Sequence, residues 1–234
     1  MTELQWWIGA VSVLITTVLL AGLVVRRRYR ACYAFSAYLV AVIVSDSLIL
    51  GWPEDFHTWG FWLLKENVHS LLKFAIALEL GLRTLQGFPG ARATARAVVL
   101  LVLLVSLGGM LADPPDPRLE LYDLASLFHP RILNTAIWLF TAVAVVILWY
   151  RLPVEAFHKA ILLGFVPYLL VFTVAMNALA SVGSKLQGLV GYVHPIAYLL
   201  VLVYWTYAAW RPEEAPFRAA QPAQRAAQAL RPRA

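Results

Sequence analysis

Glu66, His69 and Lys73 follow one another at i, i+3 and i+7 within the stretch WLLKENVHSLLKFAIALELGLR, residues 62–83. On a helix turning about 100° per residue they fall within a sector of about 60°, and Trp62, Ser70 and Ala77 join the same stripe. A carboxylate, an imidazole and an ammonium on one face can hold a small polar or anionic ligand, relay a proton, or pair with one another. Lys73 falls near the middle of an otherwise apolar run. A charge there costs from about 2.5 to more than 10 kcal/mol unless it is paired or hydrated. The stripe must therefore face other protein, with Glu66 as the nearest partner for Lys73 and His69 as a bridge between them. Glu79 points away from this face and stands four residues before Arg83, as an interfacial ion pair would.

Comparable residues recur in other apolar runs at similar depth. Asp46 sits between Ser45 and Ser47; His129, Arg131 and Asn134 open a later run; Asn177 and then His194, with Tyr198 one turn further, follow. The candidate ligand-binding set is Glu66, His69, Lys73, His129, Arg131, Asn134, Asn177 and His194, with Asp46, Tyr198 and Trp62 in support. Lys73 and Arg131 supply its positive charge.

Metal chemistry has a weaker footing. Glu66-x-x-His69 is similar to the helical Glu-x-x-His pair of di-iron carboxylate bundles, but those need two such pairs and further glutamates. His69, His129, His194 and Glu66 have the ligand types of a zinc site, and two of the histidines could ligate a haem. No His-x-x-x-His or His-Glu-x-x-His spacing supports either one. The expectation is no cofactor, with zinc or haem as the alternative. Cys32 is the single cysteine, which excludes an internal disulfide and a Cys-based cluster. It reads as a small hydrophobe. Phosphate-loop, dinucleotide and serine-nucleophile motifs are absent, so catalysis is not the expected activity.

The elements that must position these residues are apolar helices. Of 234 residues 61% are hydrophobic and 14% charged, and the mean hydropathy is +0.71. A soluble domain has about 25% charged residues, so an integral membrane protein is expected. Seven stretches are long enough to cross: 6–25, 31–52, 59–85, 92–112, 124–150, 154–182 and 187–210. Tryptophans cluster near their ends, as interfacial aromatics do.

Lysine and arginine number four in 26–30, three in 83–96, two in 151–159 and five from Arg211 onward, against Arg118 and Lys185 in the opposite loops. By the positive-inside rule this all-α, seven-transmembrane-helix bundle (residues 1–210) has its N-terminus outside and its C-terminus in the cytoplasm. The net charge of +6 marks topology and does not point to nucleic acid. The loop 112–123 is acidic and proline-rich, and the Ala/Pro/Arg-rich tail 211–234 reads as disordered. His-Pro occurs at 129–130 and 194–195, each as a helix entry with proline in the first turn.

The topology resembles that of rhodopsins and eukaryotic receptors. Span 187–210 nevertheless lacks the Schiff-base lysine of a microbial rhodopsin. It also has one histidine where membrane hydrolases related to alkaline ceramidase have a pair.

The expected function is receptor-like or sensory. A polar pocket in the outer half of the bundle would bind a small polar or anionic ligand, and a separate cytoplasmic protein would read the change in helix packing. The alternatives are an accessory or assembly subunit of a membrane complex, a proton-coupled transporter, and a metal- or haem-dependent membrane protein. The expected surroundings are the lipid bilayer and a membrane or cytoplasmic protein partner. The expected location is a bacterial inner membrane.

Overall fold

The computed structural model describes residues 3–86, 135–147, 155–182 and 187–212, with isolated helical positions at 93, 97, 100, 101, 104 and 149. Among them every element is helical. They are α1 (Glu3–Val25), a 3-10 turn (Arg28–Arg30), α2 (Tyr33–Gly51), the short α3 (Pro53–Phe56), α4 (Trp59–Gln86), α5 (Thr135–Ile147), α6 (Ala156–Val182) and α7 (Gln187–Trp210). The stretches read from sequence as 92–112 and the start of 124–150, the loop 112–123 and the tail from 213 lie outside the described residues.

Among the described residues three helices are long and apolar enough to cross a membrane: Glu3–Val25, Tyr33–Gly51 and the Ala156–Ala175 part of α6. Thr135–Ile147 and Pro195–Trp210 are shorter apolar helices. Helix α4 has the length, but Lys65, Glu66, Lys73, Glu79 and Arg83 interrupt its apolar run. Large apolar side chains point outward, among them Leu14 at 64% exposure, Leu163, Val174, Leu200 and Tyr207. In water that surface would exceed what a monomeric soluble protein exposes. Hydrocarbon accommodates it, provided each helix satisfies its own polar groups. Ser12, Thr16, Thr17, Thr173 and Thr206 do so by donating to the carbonyl four residues earlier, at 2.7 to 2.8 Å.

Helix α1 packs on α2 and α7, α2 on α4, and α6 on α7. Helix α5 meets α4 where Val143 approaches Gly81, and meets α6 where Phe140 stacks on Phe165 at 5.0 Å. Phe35, Phe140, Phe165 and Trp205 fill the centre, with Trp205 edge-on to Phe35 at 5.0 Å and 4.6 Å from Phe165. Aromatic pairs of this kind hold helices together where lipid is as apolar as the core. The Trp205 indole donates to the Ala160 carbonyl at 3.0 Å, and the approach requires glycine at 164. A Cβ there would lie 2.3 Å from Nε1 of Trp205. Gly22 admits the Trp210 indole in the same way, and that indole donates to the Val18 carbonyl at 3.2 Å.

The end of the bundle where α2 and α6 begin is fastened by charge. Cys32 precedes α2 in an extended conformation and its side chain does not cap the helix. Glu79 of α4 takes that role, accepting from the backbone N–H of Tyr33 at 3.0 Å and of Ala34 at 2.7 Å, and from the Cys32 thiol at 3.4 Å. A carboxylate at a helix N-terminus also meets the positive end of its dipole. Arg83 pairs with Glu79 at 2.6 Å, donates to the Arg30 carbonyl, and lies over the Tyr33 ring. Arg28 reaches back to the end of α7 and donates to the carbonyls of Ala208 and Arg211. Buried His158 contacts the Ala31 carbonyl at 2.8 Å.

The His194-Pro195 pair does not mark a helix entry. Pro195 lies eight residues inside α7, beyond the first turn. Proline there leaves the carbonyl four residues earlier without its helical partner.

Candidate functional site

Four stripes converge at the end of the bundle opposite the Glu79 and Arg28 fastenings. Helix α1 contributes Gln5, Ile8, Gly9 and Ser12, spaced i, i+3, i+4, i+7. Helix α2 contributes Tyr38, Val42, Asp46, Ile49 and Leu50; α4 contributes Trp62, Lys65, Glu66, His69 and Lys73; α7 contributes Pro195 and Tyr198. Tyr168 of α6 and His57, between α3 and α4, complete the lining of a cavity of about 400 Å³. Small-molecule sites lie in the range of about 300–1,000 Å³. The i+3/i+4 spacing on each helix is what lets one cavity collect so many side chains.

Lys65 stands at the centre of an ionic cluster, with Asp46 Oδ1 at 3.5 Å and Glu66 Oε1 at 3.9 Å. The three charges are screened from solvent only in part, since their side chains keep 16 to 24% exposure. Deeper in, the Ser45 hydroxyl donates to the Val42 carbonyl at 3.2 Å and faces His69 Nε2 at 3.3 Å. The Tyr38 ring packs edge-on to His69 at 5.6 Å, and its hydroxyl donates to that of Tyr198 at 3.4 Å. Tyr168 lies 5.5 Å from Tyr198, ring to ring.

Lys73 is 5% exposed and lines the cavity. Glu66 is the favourable charge acting on it and Lys65 an opposing one. The direct Glu66–Lys73 pairing expected from sequence does not form. Two turns separate these residues by about 10.5 Å of helix rise, and Lys65 holds the Glu66 carboxylate near the cavity mouth. His69 turns to Ser45 and does not bridge the two.

Of the residues expected from sequence, Glu66, His69 and Lys73 line the one cavity together with Asp46, Trp62 and Tyr198. His129, Arg131 and Asn134 lie outside the described residues, as do the side chains of Asn177 in α6 and His194 in α7. Lys65, Tyr38, Gln5, Ser12, His57 and Tyr168 also line the cavity and were not among the site residues expected from sequence. Tyr38, Val42 and Asp46 recur every four residues, a stripe that would have found Tyr38. His57, outside any long helix, and Tyr168, one aromatic among many in α6, give no such signal.

Among the described residues no group of three or more His, Cys, Asp or Glu side chains is placed to hold a metal ion. The cavity has the chemistry to seat an organic molecule through an ammonium, an imidazole and phenol hydroxyls, against an aliphatic wall. In comparison with known proteins, no family model, no curated protein and no solved structure matches the chain.

Proposed function

We propose that this chain is a receptor-like, seven-span membrane protein of a bacterial inner membrane. Its N-terminus is outside, and it binds a small polar or anionic ligand in the outer half of its bundle. A separate cytoplasmic protein reads the bound state. The observation that carries this reading is Lys73. It is a buried ammonium on the wall of a cavity, and no carboxylate among the described residues forms an ion pair with it. Burying such a charge is costly unless water or a ligand solvates it. The cavity draws on α1, α2, α4, α6 and α7 together, so a ligand that pulls Lys73 toward Tyr38 or Tyr198 changes how these helices pack. Helix α4 runs from the cavity to Glu79 and Arg83, which clamp the start of α2 and the Arg30 carbonyl at the far end. That continuity gives a route from ligand to cytoplasmic surface.

The test is a thermal-stability screen of the detergent-purified chain against small anions. At least one anion is expected to raise the unfolding midpoint. Lys73→Gln is expected to remove that rise while the protein still expresses and remains monodisperse. Flux into liposomes that Lys73→Gln abolishes would make the protein a transporter. A chain that stays polydisperse until another membrane protein is co-expressed would make it an assembly subunit.

A further inference from the structure

The cavity is lined by side chains of different chemistry, and the combination narrows what fits. Of its two lysines, Lys65 already faces Asp46 and Glu66, at 3.5 and 3.9 Å. Lys73 forms no ion pair among the described residues and is 95% removed from solvent, being 5% exposed. An anionic group is therefore drawn to Lys73 in preference to Lys65. The hydroxyls of Tyr38 and Tyr198 lie on the same cavity, and Tyr198, which accepts from Tyr38 at 3.4 Å, keeps its own proton to donate to an anion. The lining also includes aliphatic side chains: Ile8 of α1 with Val42, Ile49 and Leu50 of α2. These side chains offer no hydrogen bond, and they favour an apolar body.

Charge number follows from the same layout. One ammonium neutralises one negative charge. A second negative charge on the ligand would lie in a low-dielectric cavity shared with the carboxylates of Asp46 and Glu66, and would be repelled. A small inorganic ion would satisfy Lys73 and leave the aliphatic wall and most of the volume unfilled.

We propose that the cavity selects a monocarboxylate carried on a compact apolar body, with its carboxylate on Lys73 and its body against Ile8, Val42, Ile49 and Leu50. This rests on the ligand-pocket reading and specifies the ligand class for that site. The same chemistry is available from water-soluble short-chain or arylalkyl acids and from free fatty acids dissolved in the bilayer.

The experiment measures the unfolding midpoint of the full chain in nanodiscs against isosteric pairs: hexanoate with hexanamide, and phenylacetate with phenylacetamide. Succinate, inorganic phosphate and palmitate complete the panel. The acids are expected to stabilise, and the neutral amides to bind about tenfold more weakly or worse, the loss of one hydrogen bond to a charged group. Succinate and phosphate are expected to fall below hexanoate. Lys73→Gln should erase the difference between acid and amide, and Lys73→Arg should keep it. Because the acid–amide comparison is made on the unaltered protein, it stands even if a Lys73 variant does not fold.

Stabilisation by hexanoate or phenylacetate assigns the ligand to the aqueous side. Stabilisation by palmitate alone assigns it to the lipid phase, with the chemistry unchanged. Phosphate or succinate superior to every monocarboxylate would overturn the proposed class while leaving an anion pocket, whereas amides equal to acids would overturn anion recognition itself and leave only an apolar pocket. A panel in which nothing stabilises would overturn the class and the pocket together.

Discussion

Lys73 and Glu79 are both ionisable residues of α4, and they do opposite work. Lys73 is buried and lines the cavity along with Tyr38, Tyr168 and Tyr198. Glu79 is consumed by structure: two backbone N–H groups, a thiol and the Arg83 guanidinium surround its carboxylate. Substituting Glu79→Gln keeps the size but turns an amide NH₂ toward one of those N–H donors. The expected cost is about 1–3 kcal/mol in thermal unfolding, with no change in anion binding at the cavity. A Glu79→Gln protein as stable as the original would show that α2 does not depend on this cap. Cys32, 1% exposed and donating to Glu79, belongs to the same fastening, and its burial should keep it unreactive toward thiol reagents until the protein unfolds.

At the scale of the helices, glycine sets how closely neighbours approach. Gly164 lets α7 lie against α6 with the Trp205 indole on the Ala160 carbonyl, and Gly22 does the same for Trp210 against α1. Trp205 is fully buried and ringed by Phe35, Phe165 and the α6 backbone, so it has nowhere to move. Gly164→Ala is expected to cost about 1–3 kcal/mol, an overpacking penalty. Adding Trp205→Phe removes the atoms that the new methyl would strike. The double substitution should therefore be less destabilising than the two single effects combined, a coupling that a thermodynamic cycle measures. Strict additivity would mean that Gly164 matters for another reason. The carbonyls of Ala208 and Arg211 at the end of α7 are held by Arg28, whose fork spans both, a geometry that lysine cannot reproduce.

For the whole molecule, orientation decides which side the cavity faces. The positive-inside reading puts α3 outside and the end of α7 in the cytoplasm. Glu54→Cys in α3 is expected to react with a membrane-impermeant maleimide in intact cells, and Pro212→Cys only after permeabilisation. Buried Cys32 should stay silent in both. The reverse pattern would invert the orientation and point the cavity toward the cytoplasm. Labelling of both sites from the same side would sink the seven-span count, because five crossings separate them in that topology.

The sequence by itself determined that the chain is built of apolar helices, because burial in hydrocarbon demands long apolar runs and leaves composition no freedom. It also determined that Glu66, His69 and Lys73 share a face, because a 3.6-residue period is a local property. The expected i, i+4 pair of Glu79 and Arg83 was legible for the same reason. Only the tertiary structure decided which charges meet. Lys65 rather than Lys73 took the carboxylates, because Asp46 arrives from α2 at that level and pairing across helices depends on register, which no single segment encodes. Glu79 became the cap of another helix because Cys32 left the N-terminus of α2 open and α4 passes beside it. His57, Tyr168 and Gln5 joined the cavity because five helices and a loop happen to enclose one volume, and a volume exists only after its walls have packed.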